Sequence, residues 1–354
     1  MKNKKQTTAI ICLSPNDGGM ELDTIKLAKN LHPYIDVLVI AKENSFISQQ
    51  IQTQHTIKLE TVSFLTTLNM SLILQLRKII NDYNIKNIIF FGASELKSLY
   101  FSLFRIDVNL IIRHGTTKSK PKKDIFHKLI YSNVNYHISI SEHILKNVEY
   151  IIPFGKNTKE KLIYSSFKTT SAPQHITDKI SLLHVGRIVE GKGQIDAIKA
   201  CEILISNNIP FEFNIVGSID SNYQKTFLEF YNNCPYKNSI HLVGFTNNVS
   251  NYLKKANIFL FPSYGEGLGN AFLEALSSNL ICISYNNTIF PELAKLGLNF
   301  FMAKNKNIND LKKQLLYAVK HINIKKKKIK ENRSIIKKVF SIDREVQQYL
   351  DILK

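Results

Sequence analysis

From Thr8 onward, short apolar runs alternate with longer amphipathic stretches. Ala9–Leu13, Ile35–Ala41, Asn87–Phe91, Val108–Arg113 and Tyr136–Ile140 are continuous enough in Ile, Val, Leu and Phe to be strands buried on both faces. Met20–Leu31 and Met70–Tyr83 carry apolar residues at helical spacing between them. A polar, weakly patterned stretch, Lys156–Pro173, interrupts the alternation. It resumes with strands at Ile180–Val185, Phe211–Val216, Ile240–Val243, Asn257–Phe261, Leu280–Ser284 and Asn299–Met302. Asn309–His321 and Asn332–Leu353 close the chain as helices, the first with Leu311, Leu315 and Val319 on one stripe.

Strand and helix alternating in this way predict parallel sheets covered by helices on both faces. The fold class is therefore α/β, with two Rossmann-like, doubly wound domains at residues 1–155 and 177–330. Residues 156–176 read as the linker, and 331–354 as a C-terminal helical segment. At 354 residues the chain is long enough for two cores of ordinary size.

Ligands of such sheets bind beyond the carboxyl ends of the strands. Four stretches stand there. Phe261–Ala275 passes from a strand through Gly265, Gly267 and Gly269 into a helix at Asn270–Ser278. Those glycines permit positive φ and close approach of a ligand, and a helix start offers free N–H groups to a phosphate or sugar oxygen. Glu266 in the turn and Glu274 one turn into the helix can face one cleft; alone, the stretch fits a glycine-rich loop with two solvated glutamates equally well. After the strand Ile180–Val185 come Arg187 and then Lys192–Gly193, cations suited to a diphosphate that gains charge as its sugar leaves, although isolated surface cations are more often merely solvated. Gly18–Gly19 and Glu21 open the first helix of the first domain. His114 ends one of its inner strands, as a reacting group or as a satisfied polar residue.

The E-x7-E pair of Glu266 and Glu274, the PS-x-x-EG-x-G turn and the G-R-x(n)-K-G pattern of Gly186–Gly193 together resemble the retaining glycosyltransferases of family 4, of the kind that build bacterial lipopolysaccharide or capsular glycans. The resemblance is specific over Ile180–Glu292 and loose before it. It implies the GT-B fold, two Rossmann-like domains facing across a cleft, with the last helix returning to the first domain. It implies that Arg187 and Lys192 hold the nucleotide diphosphate, that Glu274 takes the ribose diol and Glu266 the donor sugar, and that the backbone of Gly267, Leu268 and Gly269 completes the cradle. It places the Gly18–Gly19 backbone near the diphosphate. His114 would lie close to the donor sugar in a positional or electrostatic role.

The chain departs from the family at Pro153–Phe154–Gly155 and at Gly217–Ser218–Ile219. Asn279 stands where a glycine commonly ends the helix, and asparagine tolerates the left-handed conformation needed there. No D-x-D motif occurs in the sequence, so the reaction is expected to need no metal and no cofactor, the nucleotide sugar being a substrate.

Charge sharpens the picture of partners. The net charge is +19, and it is uneven: residues 1–150 hold 19 basic and 12 acidic side chains, 177–300 hold 9 and 10, and 301–354 hold 15 and 5. Arg113, Lys118, Lys120, Lys122, Lys123, Lys128 and the Lys325–Lys338 stretch supply most of the excess. Such a face suits an anionic inner-membrane surface or a phosphorylated glycolipid, and a lysine-rich composition with no partner accounts for it equally. Nucleic acid is disfavoured, because the basic stretches lack interleaved aromatic residues and Trp is absent. The four cysteines have neither zinc nor disulfide-framework spacing. No apolar run reaches the 18 or so residues of a membrane span, and Thr8–Leu13 is too short for a signal peptide, so the expected location is cytoplasmic.

The expected partners are a nucleotide-sugar donor, with UDP as the leading base, and a glycolipid or oligosaccharide acceptor. The competing functions are a nucleotide-sugar epimerase of the same fold, a glycoside hydrolase using the two glutamates, which would leave Arg187 and Lys192 idle, and a basic nucleic-acid-binding protein.

Overall fold

A computed structural model of the protein describes residues 7–92, 94–167, 179–322, 329 and 331–353. The chain divides into two compact units, one of Met1–Ser165 with Ile342–Lys354 and one of Ser166–Ser341.

The first unit holds seven strands: β1 Thr7–Cys12, β2 Asp36–Lys42, β3 Lys58–Val62, β4 Ile85–Phe91, β5 Asn109–His114, β6 Tyr136–Ser139 and β7 Lys159–Leu162. They form one parallel sheet in the order β3-β2-β1-β4-β5-β6-β7. The inner strands are the continuous apolar runs of the sequence, as in Val37–Ala41, which is wholly buried. Two strands were not expected. β3 and β7 are the sheet's edges, with a neighbour on one side only, and their sequences KLETV and KEKL carry no apolar signature.

The strand β7 also corrects the linker assigned to 156–176. Lys159–Leu162 pairs with β6, and the first unit runs on to Ser165. Residues 168–178, the rest of that linker, lie outside the described residues.

The expected helix Asn332–Leu353 is two helices, Asn332–Val339 and Ile342–Leu350. The earlier one stays in the second unit, where the Asn332 side chain bridges the backbone of Asn299, accepting from its N–H at 2.7 Å and donating to its carbonyl at 2.8 Å. The later one belongs to the first unit, so the return begins at Ile342 and not at residue 331. It buries Glu345, Val346 and Tyr349.

Arg113 is what this helix closes over. Its side chain is only 1% exposed. Nε donates to Asp23 Oδ2 at 2.8 Å, Nη1 to the Tyr349 hydroxyl at 2.9 Å and Nη2 to Ser165 Oγ at 2.9 Å, with Glu345 Oε1 at 3.5 Å. Lys26 also pairs with Asp23, at 2.8 Å. The expectation that Arg113 contributes to a basic surface is thereby corrected: successive residues of a strand point to opposite faces, and this one points into the sheet's covered side. The Lys325–Lys328 run of that expected surface lies outside the described residues.

The second unit holds β8 Ile180–Val185, β9 Phe211–Val216, β10 Ile240–Gly244, β11 Ile258–Phe261, β12 Ile281–Tyr285 and β13 Phe301–Ala303, all parallel, in the order β10-β9-β8-β11-β12-β13. The helix Asn270–Ser277 is fixed to this sheet by Phe272, Leu273 and Leu276, each fully buried, with the Phe272 ring edge-on to Phe290 at 4.9 Å. Each such side chain contributes about 1.5–3 kcal/mol by burial, ample to hold one short helix in place. Asn279 follows at φ +62°, the left-handed cap anticipated from its sequence position. Among the described residues no helix is long and apolar enough to cross a membrane.

Candidate active site

In the second sheet, β8 and β11 are neighbours from which the strand order runs outward in both directions. Loops leaving the carboxyl ends of such a pair diverge and open a crevice. Here they also lock to each other. Tyr264 N–H donates to the Gly191 carbonyl at 2.9 Å, and Ser263 Oγ to the same oxygen at 3.3 Å. Gly193 sits at φ +73°, and a methyl group there would lie 2.0 Å from the Pro262 carbonyl oxygen, so only glycine allows this approach. Gly217, at the end of β9, abuts the Gly186 carbonyl just as closely.

Side chains below the loops complete the lock. Asp196 accepts from the hydroxyls of Tyr264 at 3.0 Å and Tyr285 at 2.8 Å. Burial drives His184 down to about 4, so its imidazole is neutral. Its Nδ1–H donates to the Leu260 carbonyl at 2.9 Å, which leaves Nε2 to accept from Gln194 Nε2 at 3.2 Å. Gln194 donates also to the Arg187 carbonyl, at 3.0 Å.

This frame brings Lys192 and Glu266 together. Lys192 Nζ reaches both carboxylate oxygens of Glu266, at 2.7 and 2.9 Å, and the Glu266 side chain is only 10% exposed. The ammonium has a third hydrogen still to donate. Arg187 is far more open, 64% exposed, with Asp220 at 3.9 Å as its carboxylate neighbour among the described residues. Thr288 Oγ accepts from the Glu266 N–H at 3.1 Å. It does so from φ +44°, a conformation costing of order 1–3 kcal/mol for a β-branched residue, and such outliers concentrate at working sites.

Gly269 at φ +74° turns the chain into Asn270–Ser277. Among the described residues the N–H groups of Gly267, Leu268 and Gly269 donate to nothing. Glu274 is half-buried one turn inside, its carboxylate accepts no hydrogen bond among the described residues, and burial raises its pKa above the usual 4.5. Two cations, a row of free donors and a free carboxylate thus follow the carboxyl ends of the neighbouring strands β8 and β11. That set can take a phosphorylated group at one end and a diol at the other.

Gly18, Gly19 and His114 belong to the first unit. Gly18 precedes the helix Gly19–Leu31, and its N–H donates to Glu21 Oε2 at 2.9 Å. The buried Glu21 thus takes the Gly18 N–H, closing the helix start on itself. Gly19 keeps open space around it.

His114 is 2% exposed, and both ring nitrogens are engaged, Nδ1 with Lys118 Nζ at 3.0 Å and Nε2 with His137 Nδ1 at 2.9 Å. With both ring nitrogens engaged, His114 has neither one left for a further hydrogen bond. Burial, then Lys118 and His137, hold its pKa well below 6.5.

Sequence reasoning passed over Asp196, Gln194, Thr288, His137 and the special position of Lys118. Asp196 and Gln194, in the first turn of the helix Gln194–Ala200, were visible as polar residues at the start of an apolar helix. The others have no signal short of the fold.

Comparison with known proteins gives the family of the second unit and the fold of the chain. Residues 167–334 match the family described as glycosyl transferases group 1. The chain is 26% identical over 353 residues to the capsular polysaccharide biosynthesis glycosyltransferase CapH of Staphylococcus aureus, covering 95% of each. It is 30% identical over 183 residues, 48% of this chain and 45% of the other, to the UDP-Gal:alpha-D-GlcNAc-diphosphoundecaprenol alpha-1,3-galactosyltransferase of Escherichia coli. Among solved structures, a glycosyltransferase of Rickettsia africae superposes with a TM-score of 0.85 at 17% identity, covering 99% of this chain and 98% of that one. Anabaena HepE, in complex with UDP and glucose, superposes at 0.81 and 16%, covering 98% and 99%. The chain is a glycosyltransferase with a group 1 domain at residues 167–334, built on the GT-B fold.

Proposed function

We propose that the protein transfers a hexose or N-acetylhexosamine, with retention and without a metal ion, from a UDP-sugar to a bacterial surface glycan precursor of the capsule or lipopolysaccharide-core type. The observation that carries this reading is the pairing of Lys192, from the loop after β8, with Glu266, from the loop after β11, just ahead of the Gly267–Gly269 N–H groups and the helix that holds Glu274. The names of the relatives support it, one acting in capsular polysaccharide biosynthesis and one using UDP-Gal.

In this reading the ribose diol donates to Glu274, and the diphosphate lies against Arg187, the third hydrogen of Lys192 and the N–H groups of Gly267, Leu268 and Gly269. Glu266 orients Lys192 and accepts from a hydroxyl of the donor sugar. The anomeric C–O bond breaks with its electrons going to the diphosphate, where the two cations stabilise them; the acceptor oxygen bonds the anomeric carbon, and its proton is released with the nucleoside diphosphate. His114 acts through its neighbours in the acceptor-binding unit.

The lipid-carried acceptor fits the surface of the helix Ile125–Tyr131. There Ile125, Phe126 and Leu129 are exposed among Lys120, Lys123 and Lys128, the composition of an interfacial anchor on an anionic leaflet.

Titration calorimetry with UDP and GDP, no metal added, tests the donor site. One nucleotide is expected to bind, and Glu274→Ala to weaken it. Equal binding by the variant would remove Glu274 from the site.

A further inference from the structure

At the carboxyl end of β5, Lys118 is a half-buried lysine with which no carboxylate pairs among the described residues. Its backbone is held from both sides by Asn147 of the helix Glu142–Ile151: its N–H donates to Asn147 Oδ1 at 2.8 Å, and its carbonyl accepts from Nδ2 at 3.0 Å.

Its ammonium donates to His114 Nδ1, so the His114 proton is on Nε2 and is donated to His137 Nδ1. The His137 proton is then on Nε2, a buried atom with no hydrogen-bond partner. Both imidazoles are kept neutral, His137 by burial and Lys118 at about 3. Their lone-pair ends point along the chain toward the ammonium. Two aligned dipoles steady a cation without cancelling its charge. Around them the field is positive: Lys122 acts on both Lys118 and His114, and Lys97 and Glu95 act on Lys122. Burial and Lys122 press Lys118 down to about 8.

A desolvated cation with neutral support destabilises the free protein, and among the described residues no carboxylate balances its charge. We propose that Lys118, positioned by Asn147, His114 and His137, anchors a subsite for a phosphate group carried by the acceptor, separate from the donor's diphosphate. The proposal rests on the reading above, in which Arg187 and Lys192 of the second unit already serve the donor. A lysine with two hydrogens left to donate suits, as a compact point charge, the oxygens of a phosphate.

The test is titration calorimetry of inorganic pyrophosphate into the full chain. The Arg187→Ala/Lys192→Ala variant is expected to retain one site, and saturating UDP to leave that site filled in the wild type. Adding Lys118→Met should weaken it about ten- to hundredfold, the loss of one charge-assisted contact. Lys118→Arg should restore most of the affinity, and Asn147→Ala, which keeps the charge but frees the backbone, should weaken binding a few-fold.

Without ligand, Lys118→Met should melt no lower than the wild type. The proposal is overturned if Lys118→Met leaves pyrophosphate binding intact, if it fails to fold, if saturating UDP abolishes all pyrophosphate binding by the wild type, or if the Arg187→Ala/Lys192→Ala variant binds none. UDP affinity of the wild type reports on the donor reading independently.

Discussion

Replacing Arg113 with Ala should unlatch the helix Ile342–Leu350 from the first unit. The substitution removes hydrogen bonds to Asp23, Tyr349 and Ser165 and withdraws the cation from beside Glu345, whose side chain is 0% exposed. Breaking a buried ion pair by deleting one partner costs about 3–5 kcal/mol, mostly because a charge is left behind in a poor solvent. Asp23 keeps Lys26, which places the expected loss toward the lower end, about 3–4 kcal/mol. For a unit of this size each kcal/mol is worth roughly 2–4 °C, so its midpoint should fall by roughly 6–16 °C.

Scanning calorimetry with far-UV circular dichroism is the suitable assay, since the chain has no Trp to report by fluorescence. A cycle pairing Arg113→Ala with Tyr349→Phe should give a coupling above about 0.5 kcal/mol. A midpoint shift below about 2 °C, or additive effects in the cycle, would refute the account of Arg113 as the latch. Acid should mimic the substitution. Burial tends to raise the Asp23 carboxyl, but Arg113 and Lys26 outweigh it and hold the group below its ordinary 3.8. A depressed carboxylate contributes stability that is complete above 3.8 and is lost as pH falls below it, so the wild type should lose stability there and Arg113→Ala should lose less.

Lys192→Ala should lower turnover by about 10²–10³, the usual effect of deleting one charge-stabilising donor, and should show it in kcat more than in KM; wild-type kcat would exclude the diphosphate role. Because burial raises Glu274, UDP binding should weaken on acidification from a higher pH than an ordinary carboxylate would dictate, and Glu274→Gln should flatten that profile in calorimetry at several pH values. Binding to anionic phosphatidylglycerol vesicles should exceed binding to neutral ones and fall with salt, and Phe126→Ser with Leu129→Ser should reduce it; equal recovery on both vesicle types would sink the membrane reading.

The sheet interiors were legible because both their faces are buried. Every residue of β11, Ile258–Phe261, and of β12, Ile281–Tyr285, is buried, and a strand of that kind is written as a near-continuous apolar run. The edges β3 and β7 answer to solvent on one side, and their charged sequences look like loop. The break between Val339 and Ile342 has neither Pro nor Gly to mark it.

At the site, Glu266, Lys192 and Glu274 could be picked out one by one from the turn and the helix start. Their partnership could not, since 74 residues separate Lys192 from Glu266 and only the strand order brings them into contact. His114 was visible as a residue at a strand end. Its saturation depends on His137, which lies on the next strand, and on Lys118, which in the sequence is one lysine among many.

The latch around Arg113 also bears on the order in which the chain can mature. Glu345 and Tyr349 leave the ribosome after the whole second unit has been made, although Asp23, Arg113 and Ser165 emerged long before. Domains generally fold as they appear, from the N-terminus forward. Here the earlier one must wait, its guanidinium already desolvated on one side and its groove for Val346, Tyr349 and Ile352 still empty, until the last stretch of chain arrives. The first unit's core is thus closed only after the second unit has been made, and a chain terminated within the second unit lacks the residues that complete the first.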